Sequence, residues 1–149
     1  MTFTRYLALT ATAIFALTTQ LAIAGPKSVI VIIGDGFDDQ HVTMGRNYLK
    51  GQSGHLLLDT MPVRAAVQVE TVDADGNRLY VADSANTATS IATGTISQIG
   101  RIGVDAADQD QETVLESAAK AGLRTGLVTT ATITDATPAA FAAHVTVRS

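Results

Sequence analysis

The run Asp83-Ser84-Ala85-Asn86-Thr87-Ala88-Thr89-Ser90-Ile91-Ala92-Thr93-Gly94 is almost entirely small residues, closed by a glycine that can end a helix. A strand-like lead-in, Tyr80-Val81-Ala82, precedes it. A helix with such short side chains packs closely against its neighbours and leaves open space above its first turn. Ser84 stands where the chain turns into that helix, with the unpaired N–H groups of the first turn behind its hydroxyl. Those groups and the positive end of the helix dipole favour an anion, which suits a phosphate or a phosphoserine. A serine here also has a plain structural reading as a helix cap. Its surroundings must decide between the two.

The N-terminus reads as a targeting segment. Arg5 supplies a short positive region, Leu7 to Leu17 an apolar stretch broken by threonines, and Ala22-Ile23-Ala24 a small-residue cleavage site before Gly25. Residues 1–24 are therefore expected to be a secretory signal peptide, with a periplasmic or secreted mature chain and no membrane span. Removing Arg5 from 10 basic residues leaves 9 against 14 acidic ones, a balance of −5. That argues against a nucleic-acid-binding domain, which would normally show a basic face. With no cysteine there is neither a disulfide framework nor a thiolate metal site, so any metal must sit on carboxylates, hydroxyls and imidazoles. At the other end, Arg148-Ser149 follows a helix-like stretch directly, and the chain reads as a truncated product.

Between these ends the pattern is α/β. Ser28-Val29-Ile30-Val31-Ile32-Ile33 is a continuous, β-branched apolar run that predicts a strand buried on both faces of a parallel sheet. Gly34-Asp35-Gly36 then places a carboxylate at the C-terminal edge of that strand, where α/β folds hold ligands. Asp38 or Asp39 caps an expected helix from Gln40 to Lys50, closed by Gly51. Residues 63–72 and 77–81 read as strands of a hairpin turning at Asp73-Ala74-Asp75-Gly76. A polar loop, 97–111, leads to a helix over 113–121 and a strand over 124–130. Asp135-Ala136-Thr137-Pro138 opens a further helix, with Thr137 as N-cap and Pro138 in its first position.

Asp35, Ser84, Asp135 and Thr137 all fall just beyond strand-like segments. If those strands are neighbours, the four side chains meet at one sheet edge, where oxygen donors can hold divalent cations beside the serine. A serine hydroxyl needs a base or a metal to become a nucleophile. None of the three histidines stands in a triad-like relation to it. Taken singly, Asp35 and Asp135 also read as turn and cap residues. Arg148 offers a planar fork for phosphate oxygens, or is a solvated surface arginine.

These segments resemble the N-terminal third of the alkaline phosphatase family. The resemblance rests on Ile33-Gly34-Asp35-Gly36, on the block from Val81 to Gly94, and on Val128 to Ala140 running on to His144-Val145-Thr146-Val147-Arg148. It implies a three-layer α/β fold with a central, mostly parallel sheet flanked by helices. It also implies hydrolysis of phosphate monoesters with two zinc ions and one magnesium (Zn2+, Mg2+). By position, Ser84 resembles the nucleophile that becomes phosphoserine and a zinc ligand, and Arg148 resembles the phosphate clamp. Asp35 resembles the carboxylate between zinc and magnesium, and Asp135 and Thr137 resemble magnesium-side residues. A homodimer is a family expectation.

His144 matches a position near that arginine and is read as a packed or surface histidine. Two departures stand out: Phe37-Asp38-Asp39 where many members have Met-Gly, and Asn86 where a smaller residue is common. The family's remaining ligands, a glutamate, two aspartates and several histidines, would lie beyond Ser149, so residues 25–149 are expected to be inactive alone. The rival readings are a phosphodiesterase or sulfatase-like hydrolase of the same superfamily, and a non-catalytic metal- or phosphate-binding fragment.

Overall fold

The structure is a computed structural model describing residues 28–148. The chain divides between Gly34 and Asp35. Residues 1–24, expected to be a signal peptide, lie outside the described residues.

Residues 28–34 form no helix or strand and are solvent-exposed, with Ile30 at 83% and Ile32 at 90% exposure. The buried strand expected here is not seen. A segment is held as a strand only by a neighbour's backbone N–H and C=O groups, and residues 28–34 take part in no ladder among the described residues. Residues 124–130 behave alike and are largely exposed, so the second expected strand is also absent among the described residues. Of a sheet, the described residues retain isolated bridges: Val72 with Arg78, Val72 with Gln98, Ile102 with Val145, and Val104 with Asp110.

Four helices follow in order: α1 (Asp39–Lys50), α2 (Ser84–Thr93), α3 (Val114–Lys120) and the single turn α4 (Ala136–Ala139). A short 3-10 turn, Leu57–Thr60, lies after α1. Helix α1 begins because Asp38 Oδ1 accepts the Gln40 and His41 N–H groups at 3.0 Å each. It stops at Gly51, φ 71°. Asp38 is thus a cap, and Asp39 pairs with Arg64 at 2.8 Å. The hairpin turn forms as expected: Asp73 Oδ1 accepts from Asp75 and Asn77 N–H, and Gly76 takes φ 82°. Its arms do not become strands beyond the Val72–Arg78 bridge.

The core is built from alanines. Ala85 and Ala88 of α2 pack with Ile102, Ala136 and Ala140, and Ala139 and Ala143 lie against them. Residues three or four apart share one helix face, so α2 and α4 present matching small faces and approach closely. The segment 97–111, expected to be a polar loop, is partly core: Ser97, Ile102, Gly103 and Val104 are buried. Buried hydroxyls tie it in. Ser97 Oγ donates to the Val104 carbonyl at 2.7 Å, and Thr89 Oγ1 donates to the Arg101 carbonyl while accepting the Gly103 N–H. Each satisfies a main-chain group that burial would otherwise leave costly.

Candidate active site

Helix α2 carries Ser84 at its first position, and its N-cap is Asp83, one residue earlier than a serine cap would place it. The Asp83 and Asn86 side chains cap each other's backbone. Asn86 N–H donates to Asp83 Oδ1, and Asp83 N–H donates to Asn86 Oδ1, both at 2.9 Å. With the cap supplied by Asp83, the Ser84 hydroxyl has no capping duty. Gly94, at φ 76°, ends the helix in the left-handed region that suits glycine.

Arg148 reaches this turn from the far end of the chain. Its Nη1 donates to Ser84 Oγ at 3.0 Å and lies 3.7 Å from Asp83 Oδ2. Gly100 fastens both partners: its N–H donates to Asp83 Oδ2 at 3.1 Å, and its carbonyl accepts the Arg148 N–H at 2.9 Å. A hydroxyl, a guanidinium and helix N–H groups therefore share one place, where a tetrahedral anion finds donors from several directions.

The second pair joins the first and last parts of this unit. Thr137 Oγ1 donates to Asp35 Oδ2 at 2.8 Å. The α4 cap differs from the sequence expectation. Asp135 is the N-cap, because its carbonyl accepts the Ala139 N–H at 3.0 Å, while Thr137 and Pro138 lie inside the turn. Proline is tolerated there because first-turn N–H groups have no intrahelical partner. The Asp135 side chain makes no cap hydrogen bond and is exposed. The four expected donors thus form no single hydrogen-bonded cluster among the described residues. Asp35 is bonded to Thr137, Ser84 to Arg148, and Asp135 stands apart.

His144 is a packed residue. Its Nδ1 lies 2.7 Å from the Gly103 carbonyl and its Nε2 3.0 Å from Glu116 Oε1. The Glu116 carboxylate, and then the carbonyl, hold the imidazole above its ordinary pKa. The imidazole and the Thr113 N–H hold Glu116 down to about 2.

Asp83 and Gly100 carry no role in the sequence reading, and Asn86, noted there only as a departure, is the capping partner of Asp83. The signal was present in Asp83-x-x-Asn86, the spacing of a reciprocal cap.

Comparison with known proteins agrees in extent with the segments that form these pairs. The sequence profile described as alkaline phosphatase matches residues 26–149. Streptomycin-6-phosphate phosphatase of Streptomyces griseus is 43% identical over 94% of this chain and 31% of its own length. Alkaline phosphatase of Escherichia coli K12 is 42% identical over 89% of this chain and 29% of its own. A solved mutant of TAB5 alkaline phosphatase, from an Antarctic bacterium, has magnesium bound in its M3 site. It superposes with a TM-score of 0.66 at 32% identity, over 83% of this chain and 33% of that one. The chain spans about 30% of the length of the curated relatives it matches.

Proposed function

The chain belongs to the alkaline phosphatase family, and from that premise we propose that it carries the nucleophile half of a phosphomonoesterase site. The observation that supports this most directly is the Arg148–Ser84 contact at the N-terminus of α2. Ser84 Oγ attacks phosphorus and forms the phosphoserine as the ester P–O bond breaks, the serine proton going to solvent and the alcohol leaving protonated. Water then breaks the phosphoserine P–O bond, releasing phosphate and restoring the serine hydroxyl. The Arg148 guanidinium orients the phosphate and offsets charge on its non-bridging oxygens, aided by the first-turn N–H groups. Asp83 and Gly100 hold the arginine against the serine.

Asp35, Thr137 and Asp135 are hard oxygen donors, and that chemistry fits magnesium. Magnesium bound in the TAB5 mutant supports magnesium as a cofactor of this family. No group of three His, Cys, Asp or Glu residues comes together among the described residues, so for magnesium and for zinc alike the residues named here would be only part of the ligand set. Bound ions would supply charge neutralisation and a lowered hydroxyl pKa.

We further propose export after cleavage between Ala24 and Gly25, on the strength of the Arg5, Leu7–Leu17 and Ala22-Ile23-Ala24 pattern. No described helix is long and apolar enough to cross a membrane. Homodimerisation is proposed on the family likeness alone. N-terminal sequencing of exported protein checks the cleavage point.

The function itself is tested with a chromogenic phosphate monoester and with inorganic phosphate. Turnover together with acid-stable label on Ser84 supports the proposal, and label on another residue overturns it. Phosphate binding without turnover would favour a phosphate-binding role for this stretch of chain.

A further inference from the structure

Asn86 is fully buried, yet its Nδ2 finds no acceptor among the described residues. A buried donor without a partner is unfavourable, and an alanine at this position would carry no such donor. The useful atom is Oδ1, which accepts the Asp83 N–H at 2.9 Å. In return the Asn86 N–H takes Asp83 Oδ1, leaving Oδ2 turned to Gly100 and Arg148. The two Asp83 oxygens are thereby divided: one fixed to the helix, the other to the arginine side. Gly100 closes the loop by accepting the Arg148 main-chain N–H.

We infer that Asn86 is a positioning residue: acting through Asp83, it sets the guanidinium of Arg148 against the Ser84 hydroxyl. It touches neither Ser84 Oγ nor Arg148, and its effect passes through a main-chain hydrogen bond and one carboxylate. The inference rests on the reading of Ser84 and Arg148 as the phosphate site. A capping residue that only stabilised α2 would need no link to the arginine. The division of the Asp83 oxygens supplies that link.

The test uses the full chain with isotope-labelled backbone and arginine side chains. In the native protein the Gly100 amide, bound to Asp83 Oδ2 at 3.1 Å, is expected to be protected from hydrogen exchange, and the Arg148 side chain to give a signal distinct from a solvated arginine. Asn86→Ala is expected to raise exchange at Gly100 by about tenfold, the scale of one net hydrogen bond. It is also expected to move the Arg148 signal toward that of a solvated arginine, with α2 still helical. Asn86→Asp keeps the side-chain shape and an oxygen at the Oδ1 position, so it should restore both signals; it also carries the test if the alanine variant does not fold.

Unchanged Gly100 exchange and an unchanged Arg148 signal in folded Asn86→Ala would overturn the inference, as would a folded Asn86→Asp in which both are lost. A titration with inorganic phosphate separates the two levels. If phosphate leaves Ser84 and Arg148 signals unmoved in the native chain, the reading of these two residues as a phosphate site in this chain fails while the Asn86 result stands on its own.

Discussion

The Thr137 hydroxyl donates to Asp35 Oδ2 at 2.8 Å, joining positions 102 residues apart. The bond fixes one carboxylate oxygen and so orients the other. Partners of this kind around a metal-binding carboxylate typically change affinity by about 10–100-fold when removed. Thr137→Val keeps the branched shape and deletes the hydroxyl. It is expected to weaken magnesium binding to the chain by about tenfold, and Asp35→Asn by more, read by titration calorimetry. Equal magnesium affinity in Thr137→Val and the native chain would show that the hydroxyl serves Asp35 alone.

Arg148 meets Ser84 through one nitrogen, Nη1, which leaves the rest of the planar fork for a ligand. Lysine would keep the charge and lose the fork. On the proposed phosphatase reading, Arg148→Lys should lower kcat by about 10²-fold or more, the scale of losing one preorganised donor. Ser84→Ala should abolish the acid-trapped phosphoenzyme altogether. Recovery of native levels of label from Ser84→Ala would place the nucleophile elsewhere.

How far the sequence carried can be traced through particular residues. Helix α1 was legible because Asp38, Gly51 and the spacing between them are local signals, and its bounds differ by one residue from those expected. The turn at Asp73 was legible for the same reason. The strands at 28–33 and 124–130 were read from apolar, β-branched composition, which reports suitability for burial and not the presence of a neighbour. The described residues supply no neighbour, and those side chains are exposed. At the site, Ser84, Arg148, Asp35 and Thr137 were each named from sequence, whereas their division into two bonded pairs depends on how α2 and α4 pack. Thr137 was misplaced as a cap because Asp135 and Thr137 are both good cap residues. The choice follows from the Asp135 carbonyl reaching Ala139.

The His144–Glu116 pair gives stability a defined pH window. His144 is held above its ordinary value of 6.5, chiefly by the Glu116 carboxylate, with Asp110 adding in the same direction. The folded chain therefore holds that proton more tightly than the unfolded one. This contribution is complete below about pH 6.5 and is lost as pH rises through the folded value. Glu116 is held down to about 2 from its ordinary 4.5, so its contribution is complete above 4.5 and fades as pH falls toward 2. Both are present together between 4.5 and 6.5. Glu116→Gln removes the charge and keeps an acceptor for the Thr113 N–H. Its thermal midpoint should fall clearly below the native one near about pH 5.5, and by less near about pH 8.5. A deficit that is the same at both values would assign the pair no ionic role.

Gly103 is the position where backbone and packing constrain the residue most tightly. Its φ is 62°, and a Cβ there would lie 2.1 Å from the Ala143 carbonyl oxygen and 2.7 Å from His144 Nδ1. The main chain cannot move aside freely, because its N–H is bound to Thr89 Oγ1 at 2.9 Å and its carbonyl faces His144. Gly103→Ala thus combines left-handed strain, about 1–2 kcal/mol for a residue with a Cβ, with a steric clash inside the core. Gly94 is the control: its φ is 76° and nothing lies within 4 Å of an added Cβ. Gly94→Ala should therefore cost the backbone strain alone. Gly103→Ala should cost about 1–3 kcal/mol more, the range for overpacking a well-filled site. Chemical denaturation of the two variants measures the difference directly. Equal losses would mean that the Ala143 carbonyl and the His144 ring yield at no cost, and the close packing of residues 102–104 against 143–145 would then contribute nothing to stability.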